Sequence, residues 1–223
     1  MLTPRLKTIY YHISKDKIAD IGTDHGYIPI QFALDEKKHQ AIATDINPGP
    51  LAMAAANIHK YRVTDQIQLR LGAGLDPIQP GEVQEIIIAG MGGEMIRKIL
   101  ENGDPTAKAA CRLILQPMNA QYELRRWLYA NGYFIHTEDL AVEGDHVYNI
   151  LIAAAAQAQP PKSDIEYHLP QSLQNHSHFG VLWAKKYREF KKIRDGLLRS
   201  EIKQKALILY YTDLLEQLER RKP

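Results

Sequence analysis

The chain has 223 residues, 45% of them hydrophobic, with 28 Lys and Arg against 26 Asp and Glu, enough apolar material for one substantial core and a small appendage. A single cysteine, Cys111, excludes an internal disulfide framework and multi-cysteine metal clusters, and no metal is expected. No apolar run reaches the roughly eighteen residues that span a bilayer, and the N-terminus, with Pro4, Arg5 and Lys7, lacks an export-signal core, so a cytoplasmic protein with no membrane partner is expected.

Residues 4–13 read as an amphipathic helix with Leu6, Ile9, Tyr10 and Ile13 on one face, expected to lid a crevice. Residues 17–21 read as a short strand, and 27–34 as a helix. The loop between them is Gly22-Thr23-Asp24-His25-Gly26, preceded by Asp20. Its glycines let a ligand approach the backbone, and the helix start offers unpaired N–H groups. A dinucleotide fingerprint reads G-x-G-x-x-G; here an acid precedes the first glycine and the glycines stand four apart. S-adenosylmethionine, with a sulfonium, an ammonium and a carboxylate but no pyrophosphate, fits this loop better than NAD. A plain polar strand-to-helix turn would use the same residues.

Residues 40–45 form a second expected strand, with Asp45 at its end as candidate for ribose hydroxyls. Asn47 and Pro48 cap and open a helix over 50–61, whose stripe is Leu51, Ala54, Ala55, Ile58 and Tyr61. A third strand, 67–71, closes on Gly72-Ala73-Gly74. The apolar run 85–89 reads as a strand buried on both faces, at the centre of a parallel sheet, and leads into Gly90-Met91-Gly92-Gly93. Next come a helix with Met95, Ile96, Ile99 and Leu100 inward, a fifth strand over 112–116, and a helix over 121–131 with Leu124, Trp127 and Leu128 inward. Residues 134–142 and 147–155 read as an antiparallel edge hairpin. The alternation predicts a doubly wound α/β sheet binding ligands at its carboxyl strand ends.

Pro160-Pro161 marks a linker, so the expected domains are 1–159 and 160–223. The first holds 15 Lys and Arg against 18 Asp and Glu, the second 13 against 8. Phe179, Trp183, Tyr187, Phe190, Ile193 and Leu197, then Leu207, Tyr211, Leu214 and Leu218, recur at intervals suited to two helices folded back on each other, with the turn at Gly196 or Ser200. Lys185, Lys186, Arg188, Lys191, Lys192 and Arg194 make a basic face extended by Arg199, Lys203 and Lys205 and opposed by Glu189, Asp195 and Glu201. Such a face suits a phosphate backbone; a solvated helix surface carries the same charges.

As a set, L-T-P-R-L, D-I-G-T-D-H-G-Y-I-P, A-T-D-I-N-P-G-P-L, I-I-I-A-G-M-G-G-E-M-I, L-I-L-Q-P and L-R-R-W-L resemble the bacterial family that methylates N1 of the adenine at the twenty-second position of tRNA. The resemblance implies a class I S-adenosylmethionine-dependent methyltransferase with a mostly parallel, seven-stranded, Rossmann-like sheet and a C-terminal, coiled-coil-like helical domain that contacts tRNA. One departure stands out. Where the family commonly reads G-D-G-L, with an acid for the cofactor's adenine amine, this chain has Gly72-Ala73-Gly74-Leu75.

The expected cofactor-binding set is Arg5 from the first helix and, around the strand ends, Asp20, Gly22, Thr23, Gly26, Asp45, Ile46, Asn47, Gly72, Ala73, Gly74, Ala89, Gly90, Met91 and Gly92. Adenine N1 already carries an in-plane lone pair, so its methylation asks for alignment more than for a base. N1 lies on the pairing edge, so the target must be unpaired or flipped out. Asp24, Tyr27, Gln116 and Asn119 are the candidates to orient it, Asp24 alternatively meeting the cofactor ammonium; Arg5 would take the cofactor carboxylate or an RNA phosphate, and His25 would cap a helix. A monomer is expected. Methylation of ribosomal RNA or of a small molecule, and non-catalytic RNA binding on the same fold, remain open readings.

Overall fold

The computed structural model describes residues 2–36, 38–157, 159–200, 202 and 204–223. The chain divides into two compact units, Met1–Pro160 and Pro161–Pro223.

The first unit runs α1 (Pro4–Tyr11), β1 (Lys17–Ile21), α2 (Tyr27–Asp35), β2 (Gln40–Asp45), α3 (Pro48–Tyr61), β3 (Ile67–Leu71), β4 (Glu85–Met91), α4 (Gly93–Asn102), α5 (Asp104–Ala109), β5 (Arg112–Pro117), α6 (Gln121–Ala130), β6 (Tyr133–Glu143) and β7 (His146–Ala155). The strands form one seven-stranded sheet in the order β3-β2-β1-β4-β5-β7-β6. All neighbours from β3 to β5 are parallel, while β7 runs antiparallel between β5 and β6. This is the Rossmann-like methyltransferase layout, and β4 lies at its centre as its apolar run implies.

Burial on both faces explains that run. Ile86 and Ile88 pack with Ile96, Leu100, Leu113 and Leu124 on one side, and Ile87 packs with Ile9, Ile18, Phe32 and Ile114 on the other. All three isoleucines are fully buried. At the other end of β4 the buried Glu85 accepts the Ser14 N–H at 2.9 Å and the Ser14 hydroxyl at 2.8 Å and meets Arg112 at 3.3 Å, which pins the turn between α1 and β1.

Several sequence expectations shift. The helix α1 ends at Tyr11 and packs on β6, β7 and α2, so it covers the sheet instead of lidding the crevice, and only its first turn reaches the strand ends. β4 runs on to Met91 through an irregularity between Ala89 and Met91. Helix α5 was not expected, because its six residues are too few for a periodic signal. On α3, Ala55 and Tyr61 are exposed and the buried positions narrow to Ala54 and Ile58, since Gly26 packs against Ala54 and Asn57 turns inward to donate to the His25 carbonyl at 3.0 Å.

One buried ion pair fastens α6 to the hairpin. Arg125 donates to Glu138 from Nε at 3.0 Å and from Nη2 at 2.5 Å, and its Nη2 also reaches Asn149 at 2.9 Å. Both charged side chains are almost fully enclosed. Removing one partner of such a pair strands the other, so Arg125→Ala is expected to cost about 3–5 kcal/mol in chemical denaturation. Replacing both charged residues with apolar ones should recover most of that loss.

The second unit comprises α7 (Ile165–His168), a 3-10 turn at Gln171–Leu173, α8 (Phe179–Arg199) and α9 (Lys205–Glu219). The Trp183 indole N–H donates to the Leu218 carbonyl at 2.8 Å, and the Phe190 and Tyr211 rings lie 5.8 Å apart. Early residues of α8 therefore meet late residues of α9, as in an antiparallel hairpin, with Ser200 as the cap of α8. Phe179, Leu182, Phe190, Leu214, Leu215 and Leu218 are buried, whereas Leu207 is exposed. Glu201 and Lys203, counted in the charged face, lie outside the described residues.

Candidate active site

The strand order reverses between β1 and β4, and the loops leaving their carboxyl ends diverge into a crevice. Two cavities open there. One, about 370 Å³, is lined by Arg5, Asp20, Gly22, Thr23, Asp24, Gly26, Tyr27, Ala89 and Gly90 among others. The other, about 500 Å³, is lined by Gly22, Asp45, Ile46, Asn47, Gly72, Ala73, Gly74 and Met91, together with Thr44, Asp76, Met95, Lys98, Ile99 and Asn102. Gly22 borders both. Its φ of +76° lies in the left-handed region, and a Cβ there would fall 2.1 Å from the Met91 methyl, so the thioether rests directly on this glycine.

The smaller cavity carries opposed charges. Asp20 is buried and accepts the Thr23 hydroxyl at 2.7 Å. Burial pushes its carboxyl up to about 6, against a smaller downward pull from the Thr23 hydrogen bond. Arg5 stands on the same cavity, its guanidinium donating to Gln116 Oε1 at 2.7 Å and lying 5.6 Å from the Tyr148 ring centroid. Gln116 Oε1 also accepts the Gly90 N–H at 3.1 Å. Gln116, expected to face the target base, is instead fully buried beneath the loop, where it ties Arg5 to Gly90.

Asp24 and Tyr27 lie at the mouth of this cavity, and His25 joins them. His25 Nε2 sits 3.2 Å from the Asp24 carboxylate, and its ring stacks on Tyr27 with centroids 5.1 Å apart. His25 is not the cap of α2, whose cap position is Gly26, without a side-chain cap bond. Asn119 is exposed on the neighbouring loop, with its Oδ1 2.9 Å from where a Cβ on Gly92 would be. Its carbonyl accepts the Gly93 N–H at 3.1 Å, and the Met91 carbonyl accepts the Met118 N–H at 2.8 Å. The glycine loop after β4 is thus zipped to the loop after β5, where a Cβ on Gly93 would fall 2.5 Å from the Ala120 carbonyl oxygen, so only glycine fits.

In the larger cavity Asp45 accepts the Asn47 N–H at 2.7 Å, which fixes one carboxylate oxygen. Met95 and Ile99 line this cavity where the sequence placed them in the core, and Lys98, Asn102 and Asp76 were not anticipated. The available signal was the spacing of 95, 99 and 102 along one face of α4.

Residues 2–151 match the family model described as a methyltransferase domain. A tRNA (adenine(22)-N(1))-methyltransferase of Bacillus subtilis is 39% identical over 155 residues, 69% of this chain and 65% of that enzyme. The crystal structure of the B. subtilis m1A22 tRNA methyltransferase TrmK is 30% identical with a TM-score of 0.87, over 100% of this chain and 99% of that one. The chain belongs to the bacterial tRNA (adenine-N1)-methyltransferase family. Its match spans just under two thirds of the length of the curated relatives, 65%, 64% and 60% of the first three. A further family member, Mycoplasma capricolum TrmK in complex with S-adenosylhomocysteine, is 26% identical with a TM-score of 0.82, covering 99% of this chain and 97% of that one. Among the described residues, no group of three His, Cys, Asp or Glu is placed to hold a metal, and no helix is long and apolar enough to cross a membrane.

Proposed function

We propose that this protein transfers the methyl group of S-adenosylmethionine to N1 of an adenine in cytoplasmic tRNA, giving 1-methyladenosine. The observation that carries this reading is the pair of cavities meeting at Gly22, one with opposed charges and one with an acid above an apolar wall. The residues fit the cofactor part by part. Asp20 would hold the ammonium and Arg5 the carboxylate of the methionine end. Asp45 would take the ribose hydroxyls, with Ile46, Met95 and Ile99 beside the adenine faces. The bound cofactor supplies an electrophilic methyl on its sulfonium.

What the protein adds is alignment. Asp24 and Tyr27 line the mouth, where Tyr27, 45% exposed and backed by His25, offers a ring face to a flipped base, and Asn119 is exposed on the loop after β5, beside Gly92. Asp24 and Asn119 are then the groups that meet N6 and orient N1. Gln116 acts through Arg5 and Gly90 as a positioning residue. Incubation with labelled S-adenosylmethionine and unmodified bulk tRNA, followed by nucleoside digestion, tests the reading; labelled 1-methyladenosine is expected, and cofactor binding without transfer to tRNA would redirect it to another acceptor.

The basic face of α8 is selective. Lys186 pairs with Glu189 at 3.1 Å, and Asp195 takes both Lys191 at 3.2 Å and Arg194 at 2.7 Å. Lys185, Arg188 and Lys192 are exposed at i, i+3 and i+7, so they share one side of the helix. That stripe is the better phosphate contact. Replacing these three with Ala is expected to lower the slope of log affinity for tRNA against log salt by about two to three. Replacing Lys186, Lys191 and Arg194 should change it less; the reverse order in a salt titration would reject the assignment.

A further inference from the structure

Ala73 lines the larger cavity between Gly72 and Gly74, and its methyl group cannot accept a hydrogen bond from the cofactor's exocyclic amine. The loop that carries it lies along the last turns of α4: a Cβ on Gly74 would come within 3.2 Å of Ile99, and one on Gly103 within 2.5 Å of Leu75. On α4 itself, Met95, Ile99 and Asn102 follow at i, i+4 and i+7, and all three line the larger cavity. They form one stripe, with two apolar side chains suited to the face of a ring and a side-chain amide at its end.

An Asn amide carries both a donor and an acceptor, which matches adenine's exocyclic amine and the ring nitrogen next to it. The two neighbouring polar groups each serve half of that edge. Lys98 only donates, and Asp76, when ionised, only accepts. The helix end adds to the case, because the C-terminus of α4 carries partial negative charge and favours a donor such as the amine. Resting on the reading that this cavity holds S-adenosylmethionine, we infer that Asn102 reads the cofactor's adenine edge, which Ala73 cannot.

Calorimetric titration of the full-length protein with S-adenosylhomocysteine tests this without turnover. Asn102→Ala is expected to weaken binding about tenfold or more at an unchanged melting temperature. Asp76→Ala should cost less than Asn102→Ala, and adding Ala73→Asp to Asn102→Ala should restore most of the loss by placing an acceptor on the loop. An Asn102→Ala affinity within about twofold of a wild type that binds, or a larger loss in Asp76→Ala, would overturn the inference alone. A wild type that does not bind would overturn the proposed function and this inference with it.

Discussion

Replacing Asp20 with Asn is expected to weaken S-adenosylhomocysteine binding by about one to two orders of magnitude at pH 7.5, the loss of one charge-assisted hydrogen bond. The melting temperature of the unliganded protein should nevertheless hold or rise. Both follow from one fact: the Asp20 carboxyl, buried at the end of β1, sits at about 6 against an ordinary value of 3.8. The folded state therefore binds this proton more tightly than the unfolded state does, so the group's stabilising contribution is complete below 3.8 and is lost as pH rises through 6. At neutral pH the ionised carboxylate is a cost, on the order of 2–3 kcal/mol for a shift of this size. Asn avoids that cost and still accepts the Thr23 hydroxyl. The advantage of Asp20→Asn in melting temperature should shrink between pH 6 and 4, while wild-type affinity for the ligand's ammonium should fall over the same interval and that of the variant stay flat. A variant that melts lower and binds as well as wild type would make Asp20 scaffolding.

That contrast also shows which parts of the site were legible in the sequence. Asp20, Gly22 and Asp45 were readable because an acid or glycine at a strand's carboxyl end has few other uses in a parallel sheet. The central place of β4 and the antiparallel edge hairpin followed from one fully apolar run and two strands about a tight turn. Side-chain direction was less accessible. Gln116, near the end of β5, and Asn119, on the loop after it, are three residues apart, yet one is fully buried under Arg5 and the other is exposed, with the bond from Arg5 holding Gln116 in place across 111 residues of sequence. Met95 and Ile99 read as core because an apolar stripe facing a core and one facing an apolar cavity have the same period. In α8 the basic residues were countable, but which of them Glu189 and Asp195 neutralise depends on rotamers that spacing only brackets.

Gly22→Ala is expected to cost about 1–2 kcal/mol of stability, the penalty for an L side chain in the left-handed region, and to cost binding far more than that. Two separate obstacles arise from its φ of +76° and from the Met91 methyl 2.1 Å from the new Cβ. The methyl is the free end of a flexible side chain and can turn away; the backbone angle cannot relax so easily. Met91→Ala in the Gly22→Ala background should therefore recover little of the stability. Binding separates the causes further, because Gly22 borders both cavities and a ligand spanning them must cross it. In the wild type the Met91 thioether rests on that glycine, and Met91→Ala alone should bind S-adenosylhomocysteine as tightly as wild type or more tightly. If Met91→Ala restores binding to Gly22→Ala, the thioether is the barrier. If binding stays lost by more than about tenfold while Met91→Ala alone binds well, the bare backbone of Gly22 is the surface on which the two halves of the cofactor meet.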